Sequence, residues 1–204
     1  MTAISVSTRL RFRFWLAVGA LALALGSALP VRNAAGAQDA SAFVAGVGTQ
    51  GLEALGPGVS SPERLARFRV LLQQDFDLSG IGLFALGRYR SSVTPQEQQE
   101  FFRLYPDFTI QAFSFRLNGY GGVTGSRVVG TETVVNSKIV RGDGNGVALD
   151  WYLTDTGGQY RITDLAVGGV SMKLALRDQF ASWIANNGGR FAALLAVLRQ
   201  QTAR

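Results

Sequence analysis

The sequence predicts an α+β fold in which helices pack around a twisted antiparallel sheet of about four to five strands and enclose an apolar pocket. Three observations carry that prediction. Apolar residues recur at helical spacing from Ala42 to Leu117, switch to a period of two between Val123 and Val167, and return to helical spacing from Leu174 onward. The β-rich runs are joined by short Gly-containing stretches, Arg141 to Gly146 and Gly157-Gly158, and connections that short allow only antiparallel hairpins. Helices that flank one continuous antiparallel sheet must lie on its apolar face, which leaves room for a pocket between the layers.

Each element has its own signal. Phe43, Val47, Leu52 and Leu55 mark a helix over Ala42–Leu55 that stops at Gly56-Pro57. Ser61, with Pro62 behind it and Glu63 early in the first turn, predicts the cap of a second helix whose apolar face is Leu65, Phe68, Leu72 and Phe76. Asp77 caps a short segment, Leu78–Leu86, ended by Gly87. Thr94-Pro95-Gln96-Glu97 reads as a capping box for a helix carrying Phe101, Phe102 and Tyr105. Pro106 is expected to kink that helix or break it in two, since Pro inside a helix costs about 3 kcal/mol. Strands are expected at Val123–Val128, Thr131–Val140, Val147–Thr154 and Gln159–Val167. Two helices close the chain, Leu174–Asn186 before Gly188-Gly189, and Phe191–Gln200.

The first 37 residues carry a different message. Arg9, Arg11 and Arg13 precede an apolar run from Phe14 to Leu29, and Ala35-Gly36-Ala37 supplies the small residues of a cleavage site, the pattern of a secretory signal peptide. Sixteen apolar residues fall short of the roughly 20 that a membrane-spanning helix needs. The expected organisation is a cleaved signal over 1–37 and a single domain over 38–204, exported to the periplasm. Without a twin-Arg pair, the chain is expected to cross the membrane unfolded. The whole sequence carries a net charge of +6, but four arginines lie within residues 1–37; the remainder has sixteen basic and fourteen acidic residues. So even a balance does not suggest a nucleic-acid partner.

The chain contains no His and no Cys, the side chains most used for acid–base work, nucleophilic attack and soft-metal ligation near neutral pH. No cofactor and no metal site are expected, and the reading is of a binding protein, not an enzyme. Gly46, Gly48 and Gly51 match the spacing of a dinucleotide fingerprint, but they sit inside a helical pattern with no strand before them. Ser171 and Lys173 would share a face if extended, but lack the spacing of a Ser–Lys dyad. Asp143-Gly144-Asn145 starts like a calcium loop without its later acidic positions. Asp150 and Asp164, on neighbouring strands, leave open a small exported hydrolase that uses a carboxylate pair. An interaction module with a solid core is a third possibility. The 13 Phe residues suit either a core or the wall of a lipid cavity.

The order of short motifs along the chain resembles the MlaC, or toluene-tolerance, family. The motifs are Phe76-Asp77, Leu86-Gly87-Arg88-Tyr89, Thr94-Pro95-Gln96 leading to Phe101-Phe102, Leu117 to Tyr120, and Val147 to Leu153. Tyr160-Arg-Ile-Thr-Asp164, Gly169-Val-Ser-Met172 and Arg177-Asp-Gln-Phe180 complete the series. The resemblance implies a phospholipid-binding protein with acyl chains held in an apolar cavity. It also implies carriage between an outer-membrane lipoprotein complex and an inner-membrane ABC transporter complex, by a chain that acts as a monomer. Tyr160, Leu176 and Gly168 depart from the residues usual in the family, and a hopanoid-associated subfamily with a polycyclic lipid cargo is the alternative. The residues expected to line the cavity are Ile81, Phe84, Phe102 and Phe113 from helices, Leu149 and Trp151 from the sheet, and Val170 and Met172 beyond it.

Overall fold

A computed structural model describes residues 32–56, 58–113, 119–140 and 144–203, with side chains from residue 40 onward and excluding Phe113. Residues 1–31 of the segment expected to be a signal, together with Leu117 and Asp143, lie outside the described residues. The element order is α1 (Arg32–Ala54), α2 (Ser61–Asp75), α3 (Leu78–Ala85), a 3-10 turn (Gly87–Ser92) and α4 (Pro95–Phe113). Then follow β1 (Tyr120–Val129), β2 (Glu132–Val140), β3 (Gly146–Asp155), β4 (Tyr160–Val167), β5 (Val170–Ser171), α5 (Met172–Ala185) and α6 (Phe191–Thr202). The α+β architecture is the one expected, with five strands in a single antiparallel sheet of order β1-β2-β3-β4-β5. Among the described residues, no helix is long and apolar enough to cross a membrane.

The helix starts follow their caps. Ser60, one residue before the expected cap, accepts from the Glu63 N–H at 3.3 Å, so Ser61 and Pro62 already belong to α2. Thr94 and Glu97 close the predicted box. The Glu97 N–H donates to the Thr94 hydroxyl at 3.3 Å, and the Thr94 N–H donates to the Glu97 carboxylate at 3.0 Å. Pro106 does not break α4, which runs through it without interruption. Tyr105, Phe108 and Ile110 on either side of the proline all reach the core, and their burial offsets the missing hydrogen bond.

Sheet register sets what faces the helices. Across β2 and β3, Val135 pairs with Trp151 and Ser137 with Leu149; across β3 and β4, Leu149 pairs with Val167 and Trp151 with Leu165. Between Tyr152 and Leu153 the register slips, because Tyr152 faces Asp164 and Leu153 faces Ile162. Thr163 is the extra residue of this bulge, and it shifts the phase of β4 so that Ile162 and Leu165 both meet the hydrophobic core.

Three contacts fix the helices to the sheet. The Asp77 N–H donates to the Ile162 carbonyl at 2.9 Å, so the α2–α3 corner runs briefly alongside β4. Arg161 donates to the carbonyls of Gln73 and Gln74 and places a cation at the C-terminal end of α2, where the helix dipole favours it. Gly48 of α1 lies against Tyr120, where a Cβ would come within 2.3 Å of the ring. Gly48 therefore serves a close helix–strand approach, and the apparent dinucleotide fingerprint is a stretch of helix.

Candidate functional site

Between the inner face of the sheet and the helices lies an apolar cavity of about 70 Å³. One side is the buried face of α2 (Phe68, Leu71, Leu72), continued by Phe76, Leu78 and Ile81 at the start of α3. Opposite stand Leu149 of β3 with Leu165 and Val167 of β4. The remaining wall comes from α4 through Tyr105, Thr109 and Ile110, and from Met172, Lys173 and Leu176 of α5. Amphipathicity puts the helical residues there, since Phe68, Leu72 and Phe76 are spaced one turn apart.

Few polar groups reach this space. Asp164 is 5% exposed, and its carboxylate is taken up by its own corner. It accepts from the Leu165 N–H at 2.8 Å, the Lys173 N–H at 3.0 Å and the Ser171 hydroxyl. Ser171 in turn caps α5 by accepting from the Leu174 N–H at 3.2 Å. Ser171 thus serves as a helix cap, and Asp164 ties the end of β4 to the start of α5. Asp150, the other half of the candidate pair, faces Ala166 and accepts from the Asn136 side chain at 2.6 Å. Among the described residues, no group of three His, Cys, Asp or Glu side chains could hold a metal ion.

Tyr105 is fully buried, stacked on Phe101 at 5.2 Å, and its hydroxyl makes no hydrogen bond. Burial pushes the phenol far above its ordinary range. The charge of Asp77 adds to that shift, and the neighbouring Thr109 hydroxyl donates to the Tyr105 backbone carbonyl at 2.9 Å.

The structure brings together three of the eight residues named from the sequence: Ile81, Leu149 and Met172 line the cavity. The others sit elsewhere, each for a local reason. Trp151 is fully buried deeper in the core, with its indole N–H donating to Ser137 at 2.8 Å and its ring edge-on to Tyr120. Phe102 packs against Gly82, where a Cβ would come within 2.7 Å of its ring, and thus fills the α3–α4 contact. Phe84 is 38% exposed and Val170 58% exposed. The spacing of two that would align Val170 with Met172 holds only in a strand, and β5 ends at Ser171, where α5 takes over. The Phe113 side chain lies outside the described residues. Leu71, Leu165, Val167 and Leu176 were not anticipated. The alternation of Leu165 and Val167, in step with Leu149 across the hairpin, is the signal that points to them.

No curated protein matches the chain. Among solved structures, a phospholipid-binding protein from Ralstonia solanacearum, determined in complex with a phospholipid, is similar with a TM-score of 0.65 and 22% sequence identity. The match covers 80% of this chain and 97% of that one, and it shows a shared fold. The sequence model of the MlaC family, described as MlaC protein, matches residues 56–200, from the loop before α2 into α6. The chain belongs to the MlaC family.

Proposed function

We propose that this protein binds lipid, holding the acyl chains of a phospholipid between the sheet and helices α2 to α5. In this reading it works as a periplasmic shuttle between an outer-membrane lipoprotein complex and an inner-membrane ABC transporter complex, once residues 1–37 have been removed. The observation that carries the reading is the apolar cavity, walled by Leu, Ile, Val, Met and Phe from both layers. Membership of the MlaC family and the likeness to a protein solved with a phospholipid support it. Each acyl CH₂ withdrawn from water contributes about 0.8 kcal/mol, so a carrier gains most by enclosing whole tails.

At about 70 Å³ the cavity is smaller than the roughly 300–1,000 Å³ of ordinary ligand pockets. Cargo therefore enters by parting α2, α3 and α5 from the sheet. Along that seam Met172, unbranched and with three rotatable bonds, is the side chain most able to change rotamer and make way.

Native mass spectrometry of protein recovered from a bacterial periplasm tests the reading. The expected result is a chain beginning at Gln38 that carries a phospholipid-sized adduct, removed by detergent and regained from vesicles. A processed, folded chain that neither arrives with lipid nor acquires it from vesicles overturns the proposal.

A further inference from the structure

One cation, Lys173, forms part of the cavity wall. It stands in the first turn of α5, half-buried, and no carboxylate lies within salt-bridge reach of it among the described residues. The nearest acid along the wall, Asp164, is occupied by the Ser171 hydroxyl and two backbone N–H groups. The Lys173 ammonium lies 5.3 Å from the centroid of the Phe84 ring, and the Arg177 guanidinium lies 5.6 Å from the same centroid. Lys173 and Arg177 are one helical turn apart on α5, so one aromatic ring holds two cations side by side. Among the described residues Arg177 has a single acidic partner, Asp178, whose Oδ1 accepts from both its Nε and its terminal nitrogen at 3.0 Å. The stem of Arg177 passes close over Gly87, where a Cβ would come within 3.3 Å of it.

Two like charges gathered on one ring repel each other, and one carboxylate oxygen does not neutralise both. Such a pair is relieved by an anion that presents several oxygens at once, and a phosphodiester does so. Its place at the cavity wall matters, because tails lodged among Leu71, Leu149 and Ile81 leave a headgroup at the rim. Around the pair, Phe84, Leu174 and Val170 are exposed apolar surface, suited to the glycerol and upper acyl segments.

We propose that Lys173 and Arg177, held on the ring of Phe84, form a phosphate-binding subsite at the lip of the cavity, by which the protein selects lipids with a phosphodiester headgroup. This rests on the lipid-binding reading above and adds a specificity to it.

The test compares delipidated wild type with the Lys173→Met, Arg177→Met double variant, using short-chain phosphatidylglycerol and the matching diacylglycerol, which lacks the phosphoglycerol headgroup. The wild type is expected to bind phosphatidylglycerol about tenfold tighter than diacylglycerol, with a preference that weakens as salt is raised. In the double variant that ratio is expected to fall close to one, and Phe84→Leu to give an intermediate ratio. A wild-type ratio near one, or a ratio retained in the double variant, overturns the subsite while leaving the cavity reading standing. Binding of neither lipid by folded wild type sinks the cavity reading and the subsite with it. Circular dichroism establishes that the variants fold; should the double variant fail to fold, the wild-type ratio and its salt dependence still decide.

Discussion

Tyr105 and Gly48 show how much a single position can carry in this fold. The Tyr105 hydroxyl is buried without a hydrogen bond, a situation that costs about 1–3 kcal/mol. Tyr105→Phe is therefore expected to raise stability by about 1 kcal/mol in denaturant titrations near neutral pH. Its effect grows in alkali. An acid whose folded pKa is raised contributes in full below its unfolded value, near 10 for a phenol, and the contribution drains away as pH climbs toward the folded value. Wild type should thus lose stability relative to Tyr105→Phe above about pH 10, and parallel curves across that range would count against the buried phenol. Gly48 has a different task. An alanine there would drive its Cβ to 2.3 Å from the Tyr120 ring, which is itself locked edge-on to Trp151. Gly48→Ala is expected to cost about 1–3 kcal/mol, while Gly46→Ala, with nothing within 4 Å, should be neutral or stabilise the helix. Equal effects of the two, read by thermal melts, would contradict the packing account.

At the scale of elements, helix ends were legible where a side chain caps its own backbone and obscure where the partner is remote. The Thr94–Glu97 box is complete within four residues, so sequence alone announces it. The end of α2 is held by Arg161, some 87 residues away, and nothing in the helix reveals that. The same division runs through the cavity. Strand alternation pointed to Leu149, and Ile81 and Met172 were expected at the cavity too, but helices α2 to α5 each bury one flank against another helix and one against the cavity. Phe102 went to the first kind of flank, against Gly82 of α3, and Phe84, 38% exposed, lies beside Lys173 and Arg177 of α5. The α4–α6 pairing carries its own pH signature. Arg199 donates to both Glu100 oxygens, at 2.7 and 2.8 Å, and this hydrogen bonding lowers the Glu100 pKa. A depressed carboxylate contributes above its unfolded value and loses the contribution as pH falls through the folded one. Glu100→Gln should therefore narrow the gap in stability between neutral pH and about pH 3, as measured by urea midpoints, and an unchanged gap would show the pair to be idle.

For the molecule as a whole, the meander has a kinetic meaning. Every strand pairs with its neighbour in sequence, so the sheet assembles from local contacts, each closing a short loop. The cavity does not share that economy. Its far wall exists only once the Phe76–Asp77 corner has found Ile162, and once α4 and α6 have met across 99 residues through Glu100 and Arg199. These distant closures are expected to form after the hairpins and to open at a lower free energy than the sheet. The helical wall can thus lift while all four hairpin pairings of the sheet stay intact. Amide exchange would register such an event as early loss of protection at Asp77 and along α2, against a silent β3. A compartment of this kind opens by a fraction of its own unfolding, so the free energy of exposing its interior is set below the stability of the molecule that contains it.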